Sequence, residues 1–423
     1  MAGSNSALKI DELGAPTYGG PIFDADTHIQ EQDFSFFERY LPEKFQKDWL
    51  PARKYGPDGE FGMFIGEMKV ENSEANPDNI IPQPGRLKDW LRAIATGEQL
   101  GEGIKPTVDM YEREARLAKL DEFNVEACIM FVGHFVSAFG QIGMMAEKLG
   151  SEGACAVFHA WNQYLVEEWS LNVDDRIYPT PVLALYDLDW AVAEAKWLVE
   201  NGVRVVVMPM GPVDGKAPAD PYFDPLWQVL NDAGVLVTFH VSEANFMHPL
   251  IRAWGEQPLQ PRRSGQTAWQ WMFAYSEIPV MMTLASLVYW NLFERFPNLK
   301  VASVENGCEW LPRFLYKMDK MRGMARSGWW PMGQLKERPS TIFKRHCFVV
   351  AYPEDDIARV VADLGGDASC LLMGSDYPHA EGVPTPHDFV EEGCKGLTPK
   401  QVEQVMYSNG RRMLPKGRTG IVG

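Results

Sequence analysis

The feature that most restricts this chain is a rhythm: short β-branched or apolar runs, each followed by a stretch with helical periodicity, recur about eight times. Parallel strands need long crossover connections, and the helices that supply them bury both faces of the sheet, so such alternation is the sequence sign of βα units. The runs are Pro21–Asp26, Ala127–Val132, Ile177–Leu185, Val203–Met208, Val235–His240, Leu299–Glu305, His346–Ala351 and Cys370–Ser375. Eight units predict an α/β fold, a (β/α)8 TIM barrel. In the intervening stretch Leu188–Asn201, Ala191, Ala195, Trp197 and Leu198 share one face, and Gly202 closes the helix. Met110–Phe123 places Ala115, Leu117, Leu120 and Phe123 in the same manner. Both read as scaffold.

Roughly a hundred residues separate the first two runs, far more than a βα connection needs. A long insertion after strand 1 is therefore expected over about residues 35–108. Its Pro- and Gly-rich pieces, 51–62 and 76–85, flank a helical stretch at 86–95 and predict a lid beside the barrel mouth. A second irregular stretch, 242–267, carries Met247 and Trp254 and suits the other wall of a cleft. The domain plan is a flexible arm over 1–20, one metal-dependent barrel domain over 21–413, and a tail over 414–423.

A hydrophobic fraction of 46% with 12% aromatics supports one large core. The formal charge of −17 and the lack of a Lys/Arg cluster argue against a nucleic-acid partner, since such surfaces must displace phosphate counterions. The apolar stretches Val203–Met210 and Val280–Val288 fall short of the roughly 20 residues that cross a bilayer. No membrane partner is expected. Residues 1–20 lack the apolar core of a secretory signal. The six cysteines are scattered without a CxxC pair, which points to a reducing cytoplasm rather than to disulfides or a zinc knuckle.

The first run ends in Phe23-Asp24-Ala25-Asp26-Thr27-His28, where alternation turns Asp26 and His28 to the same side. Alone, a D-x-H triplet more often reads as a surface pair. His240 closes an apolar run and Asp376 follows another; alone, each reads as a carbonyl-bound histidine or a helix N-cap. Taken together, the carboxyl ends of strands one, five and eight meet above the barrel axis, where this fold builds its sites. Asp26, His28, His240 and Asp376 are thus expected to share one divalent cation, Zn, Mn or Fe, with positions left for water or a small-molecule substrate. Glu305 reads as a general base, a further ligand, or a carboxylate paired with an arginine such as Arg313. His379 and Glu381 fit substrate contact, a second metal or a helix cap. Glu31 and His134 carry less weight. His159, His248, His346 and His387 are assigned no chemistry, and Trp161, Trp169, Trp227, Trp269 and Trp271 are read as core.

The D-x-D-x-H-x-x-E run from Asp24 to Glu31, His240, the stretch Phe296–Pro312 with Glu305, Gly307 and Trp310, and the closing Gly374-Ser-Asp376-Tyr-Pro-His379-Ala-Glu-Gly resemble one family. It is the amidohydrolase-related branch of the amidohydrolase superfamily, which contains aminocarboxymuconate-semialdehyde decarboxylase-like enzymes. The resemblance runs from Pro21 to about residue 413. It implies that Asp26, where many relatives carry a histidine, joins His28, His240 and Asp376 as a ligand, with Glu31 or Glu305 as additional candidates. Decarboxylating relatives usually carry a histidine at the end of strand six, where this chain has Glu305. Hydrolysis of a small cyclic or carboxylated substrate is therefore the first expectation: the cation lowers the pKa of bound water toward about 7, and Asp376, Glu305 and His379 form the catalytic group. Non-oxidative decarboxylation is the second. A dinuclear Fe or Mn oxygenase is the third, because Glu31, His134, Glu305, His379 and Glu381 leave room for a second metal ion. The resemblance also implies a homodimer, or a hetero-oligomer with a related subunit.

Overall fold

The structure, a computed structural model, describes residues 8–10, 16–57, 59–70, 77–96, 103–256 and 266–417. Eight strands carry the parallel sheets: β1 (Ile22–His28), β2 (Val125–Phe131), β3 (Ile177–Pro179), β4 (Val205–Val207), β5 (Leu236–His240), β6 (Lys300–Val304), β7 (Cys347–Val350) and β8 (Leu371–Leu372). They form a three-stranded sheet in the order β1-β2-β3 and a five-stranded sheet in the order β8-β7-β6-β5-β4. Every pairing within these two sheets is parallel.

Main-chain bonds join the two sheets at both edges. Beside β3, Leu183 N–H donates to Val207 O (3.0 Å), and Val207 N–H donates to Pro181 O (2.9 Å). Beside β8, Ala25 N–H donates to Met373 O (3.2 Å), Asp376 N–H to Asp26 O (2.8 Å) and His28 N–H to Tyr377 O (2.7 Å). This α/β arrangement of parallel strands with helices between them is consistent with a TIM-barrel-like fold. The strands are short and apolar because both faces are covered: Val205, Val206, Val237, Phe239, Val301, Ala302, Phe348 and Leu371 are all fully buried.

Local signals in the sequence account for most element ends. Helix Leu188–Glu200 starts where the Asp187 side chain accepts from Trp190 N–H, and it stops before Gly202, whose φ of 85° suits a left-handed exit. The expected helix Met110–Phe123 spans only Arg113–Glu122, and its innermost residue is Arg116 rather than an apolar one. That guanidinium donates to Asp109 O and to His28 O, both at 2.7 Å, so its position is fixed by main-chain acceptors at the end of β1.

The insertion contains two helices, Ser35–Tyr40 and Glu43–Trp49, a three-stranded antiparallel sheet, and helix Leu87–Thr96. Segment 51–62, expected as an irregular piece, instead supplies strand Pro51–Tyr55, which pairs with Phe61–Ile65. Proline is tolerated at the first residue of a strand. The insertion reaches the segment that follows β8: Gly85 N–H donates to His379 O (3.1 Å) and Leu87 N–H to Ala380 O (2.9 Å). Within the expected N-terminal arm, Leu8–Ile10 pairs antiparallel with Pro16–Tyr18.

Among the described residues, Ala268–Tyr289 is long and apolar enough to cross a membrane by length and composition alone, contrary to the shorter stretch expected. Here it is two helices, Ala268–Ala274 and Glu277–Tyr289, the second capped by Ser276. Val280, Leu284 and Leu287 of the second are fully buried in the main core, as in an ordinary core helix.

Candidate metal centre

The strand ends bring the chemistry together. All seven residues of β1 are buried, with Asp24, Asp26 and His28 on alternate positions. His240 is the last residue of β5, Glu305 follows the last residue of β6, and Asp376 lies four residues beyond β8. The His28 Nε2 atom stands 3.4 Å from Asp26 Oδ1 and 3.2 Å from Asp376 Oδ1. His240 Nε2 stands 3.5 Å from Asp26 Oδ1 and 3.4 Å from Glu305 Oε2. Ligand atoms of Asp26, His28, His240 and Glu305 fall within 4.8 Å of one another, as do those of His28, Asp376 and His379, and those of Glu305, Asp376 and Glu381.

Two observations show that this cluster calls for positive charge at its centre. Nδ1 of His28 donates to Val132 O (2.8 Å) and Nδ1 of His240 donates to Val241 O (3.0 Å). A carbonyl can only accept, so in the neutral rings both Nε2 atoms carry lone pairs, and these face each other across 3.3 Å. Asp26 Oδ1, buried at the same point, has no hydrogen-bond partner among the described residues. Two imidazole lone pairs and an orphaned carboxylate oxygen repel one another unless a cation sits among them. The donor set, imidazole nitrogens mixed with carboxylate oxygens, suits a divalent ion such as Zn, Mn or Fe.

Electrostatics says the same of the metal-free protein. Burial opposes charge on His28, but the Asp26 and Asp376 carboxylates raise its pKa well above that of a free imidazole. Two carboxyls at the centre are driven apart. Burial works against charge on Asp376, yet the His379 and His28 imidazoles outweigh it and hold this carboxyl well below its usual range. Burial pushes Glu305 well above its usual range, and the Asp376, Asp26 and Glu381 carboxylates push it further. His379 attends Asp376 directly, with Nδ1 at 2.8 Å from Oδ1 and its ring 4.0 Å above that of His28.

The residues around the centre act as locks. Asp24 accepts from Ser375 N–H (2.9 Å), Ser375 O–H (2.6 Å) and Asp26 N–H (3.2 Å), tying β1 to the segment after β8. Burial lifts its carboxyl to about 7 against the effect of these donors. A side chain on Gly374 would collide with Asp26 Cβ and Val350 at 2.6 Å, so glycine is needed for the two segments to meet. Glu305 and Asp376 both adopt left-handed backbone conformations, with φ of 53° and 57°, a strain that functional sites often hold. At Glu305 it is fixed from outside: Tyr352 O–H donates to Glu305 O (2.8 Å), and Asp355 accepts from Cys308 N–H (2.7 Å) and Tyr352 N–H (3.0 Å).

Other candidates lie elsewhere. Glu31 accepts from Gly133 N–H (3.0 Å) and His134 N–H (2.8 Å), and His134 meets Gln30. Arg313 lies over the Tyr316 ring, while Glu305 faces His240. His159 and His248 pair with Glu194 and Glu243. Trp161, Trp169 and Trp227 are core as expected, but Trp271 is not. With Met272, Tyr275 and Tyr352 it lines a cavity of about 770 Å³ that opens onto Asp26, Glu305 and Asp376. Sequence reasoning missed these four; helical spacing alone cannot separate a core aromatic from one that lines a cleft.

The family model described as Amidohydrolase matches residues 104–416. No curated protein matches the sequence. Among solved structures, an amidohydrolase from Mycobacterium avium subsp. paratuberculosis superposes with a TM-score of 0.76 at 25% identity, covering 93% of this chain and 99% of that one. The 5-carboxyvanillate decarboxylase from Sphingomonas paucimobilis gives 0.59 at 17% identity, covering 93% and 98%. A dihydroxybenzoic acid decarboxylase from Polaromonas, solved with bound manganese and the inhibitor 2-nitroresorcinol, gives 0.56 at 13%, covering 93% and 96%.

Proposed function

This chain belongs to the amidohydrolase family and is a metal-dependent enzyme, and from that premise we propose that it is a carboxy-lyase acting on a small cyclic carboxylic acid without redox change. On this reading the two seam ladders close the eight strands into a (β/α)8 barrel, with Asp26, His28, His240 and Asp376 holding one divalent ion. Manganese suits the carboxylate-rich donor set. When bound, the ion supplies the positive charge that draws a substrate carboxylate to the cluster.

The observation that carries the reading is the position of Glu305 at the mouth of the cluster, 3.4 Å from His240 Nε2 and beside Asp376 and Glu381, where burial and neighbouring carboxylates raise its pKa while the His379 and His28 imidazoles lower that of Asp376. Environments that push two pKa values apart assign an acid and a base. Decarboxylation needs such an acid. As the bond between the ring carbon and the carboxylate breaks and carbon dioxide leaves, the electron pair stays on carbon and takes the proton of the Glu305 carboxyl. Solvent then reprotonates Glu305. His379, bonded to Asp376, keeps that carboxylate in place. Hydrolysis, expected first from the sequence with Asp376 or Glu305 moving the proton, is favoured less, because burial and the neighbouring carboxylates that raise the Glu305 pKa suit an acid there better than a base. The solved decarboxylases that share this fold lend the substrate class.

A second ion among Glu305, Asp376 and Glu381 is the reading that would revive an oxygenase. Metal stoichiometry decides it, since two ions with dioxygen uptake would replace the lyase account.

The experiment is carbon dioxide release from a panel of hydroxy- and aminobenzoates by manganese-loaded protein, across pH. Glu305→Gln should retain the metal and lose about 100-fold or more in kcat. For the native protein, kcat should fall as pH rises through the Glu305 pKa, because the acid form is then depleted. Ester or amide cleavage with no carbon dioxide would overturn the proposal.

A further inference from the structure

A buried positive charge stands behind the ligand cluster rather than in it. Arg116 is fully buried, and its guanidinium donates through Nη2 to His28 O and through Nε to Asp109 O. The same group lies over the Tyr377 ring, 5.3 Å from its centroid, and Nη1 has no hydrogen-bond partner among the described residues. Tyr377 completes the ring of contacts. Its carbonyl accepts from His28 N–H (2.7 Å), and its hydroxyl donates to Asp109 Oδ2 (2.7 Å), while Asp109 Oδ1 accepts from the Thr107 hydroxyl (2.6 Å). Both main-chain groups of one ligand, His28, and the residue that follows another, Asp376, are thus fastened to the turn Val108–Met110 at the end of the insertion. Gln30 N–H adds a bond to Met110 O (2.9 Å).

A neutral amide could cap two carbonyls, whereas a buried cation carries a large desolvation penalty. Arginine offers a planar fork that reaches acceptors on two segments at once while laying its charge against an aromatic face. We propose that Arg116, acting with Asp109 and Tyr377, is a positioning residue for the metal centre, holding His28 and Asp376 in place and coupling ion binding to the end of the insertion. This rests on the reading that the cluster holds the ion, and it is independent of whether the chemistry there is lytic or hydrolytic. Such coupling is reciprocal. If the brace tightens the site around the ion, the ion must in turn steady the turn Val108–Met110.

The test is a chelator-buffered manganese titration of the native protein and of Arg116→Met, Arg116→Lys and Tyr377→Phe, with amide hydrogen exchange at residues 108–112 followed in the metal-free and loaded forms. Tyr377→Phe keeps the ring and loses only the bond to Asp109, so it carries the test even where an Arg116 variant does not fold. Manganese affinity should fall about tenfold or more in Arg116→Met and about threefold or more in Tyr377→Phe, with Arg116→Lys between Arg116→Met and the native protein. Exchange at 108–112 should slow on loading in the native protein and respond less in the variants, a change that a purely structural role would not produce. Native affinity in Tyr377→Phe, or exchange at 108–112 that ignores the ion in the native protein, would overturn the proposal. A native protein that takes up no divalent ion would instead sink the reading of the cluster itself, and this inference with it.

Discussion

Asp26, on the floor of the cavity, and His28 and His240 beside it are 3% exposed or less and are held by strand ends rooted in the main core. The roof stands on different ground. Helix Ala268–Ala274 and residues 244–251 pack around a small separate core of Ala244, Met247, Ile251, Ala274 and Tyr275. Trp254 and Met272 beside it are mostly exposed. The floor is tied by side-chain hydrogen bonds of Asp24 across the β1–β8 seam, whereas the roof joins a small apolar core to a few local bonds, among them Ala244 N–H to Ala274 O (3.0 Å) and His248 to Glu243 (2.9 Å). The contrast teaches that the ligand cluster and the wall above it draw on separate cores, so the wall can vary without disturbing the cluster.

The sharpest way to break that division is to strike the floor. His240→Ala should cost about 100-fold or more in metal affinity, and activity with it. Elemental analysis and a chelator titration read this out; a fully loaded variant would show that the cluster is not the metal site. A smaller effect should follow Asp24→Ala, which strands three buried donors, Ser375 N–H, Ser375 O–H and Asp26 N–H. The expected loss is on the order of 2–4 kcal/mol by denaturant unfolding. Asp24→Asn, which keeps an acceptor, should lose less. Equal losses in the two variants would mean that the seam is not what holds the floor. The smallest stability change should come from the roof: Trp271→Ala should alter unfolding by less than about 1 kcal/mol while raising KM roughly 3–10-fold at similar kcat. A drop in metal content in this variant would join the two regions and dissolve the distinction.

The same division explains what could be read without coordinates. Asp26, His28, His240 and Asp376 were legible because each follows an apolar run, and a polar residue where a buried strand ends has few other uses. Glu305 was legible as a position, but the upward push on its pKa was not, since that depends on burial and on three carboxylates distant in sequence. Asp24 stood in the recognised motif without a role, because its partner Ser375 lies 351 residues away. Arg116 was passed over because a guanidinium usually reaches water, and nothing local announces the two carbonyls that accept from it. In the insertion, the proline and glycine content of 51–62 concealed a strand whose pairing with Phe61–Ile65 is set by backbone bonds rather than composition. Trp271 and Tyr352 share that difficulty, as their function lies in which cleft they face.

The seam has a consequence for how the enzyme comes into being. Asp26 and His28, on one side of the cluster, are synthesised about 350 residues before Asp376, on the other. A nascent polypeptide can present Asp26 and His28 long before it can enclose anything with them. Enclosure of a cation by the whole cluster therefore waits on the pairing of β1 with the segment after β8.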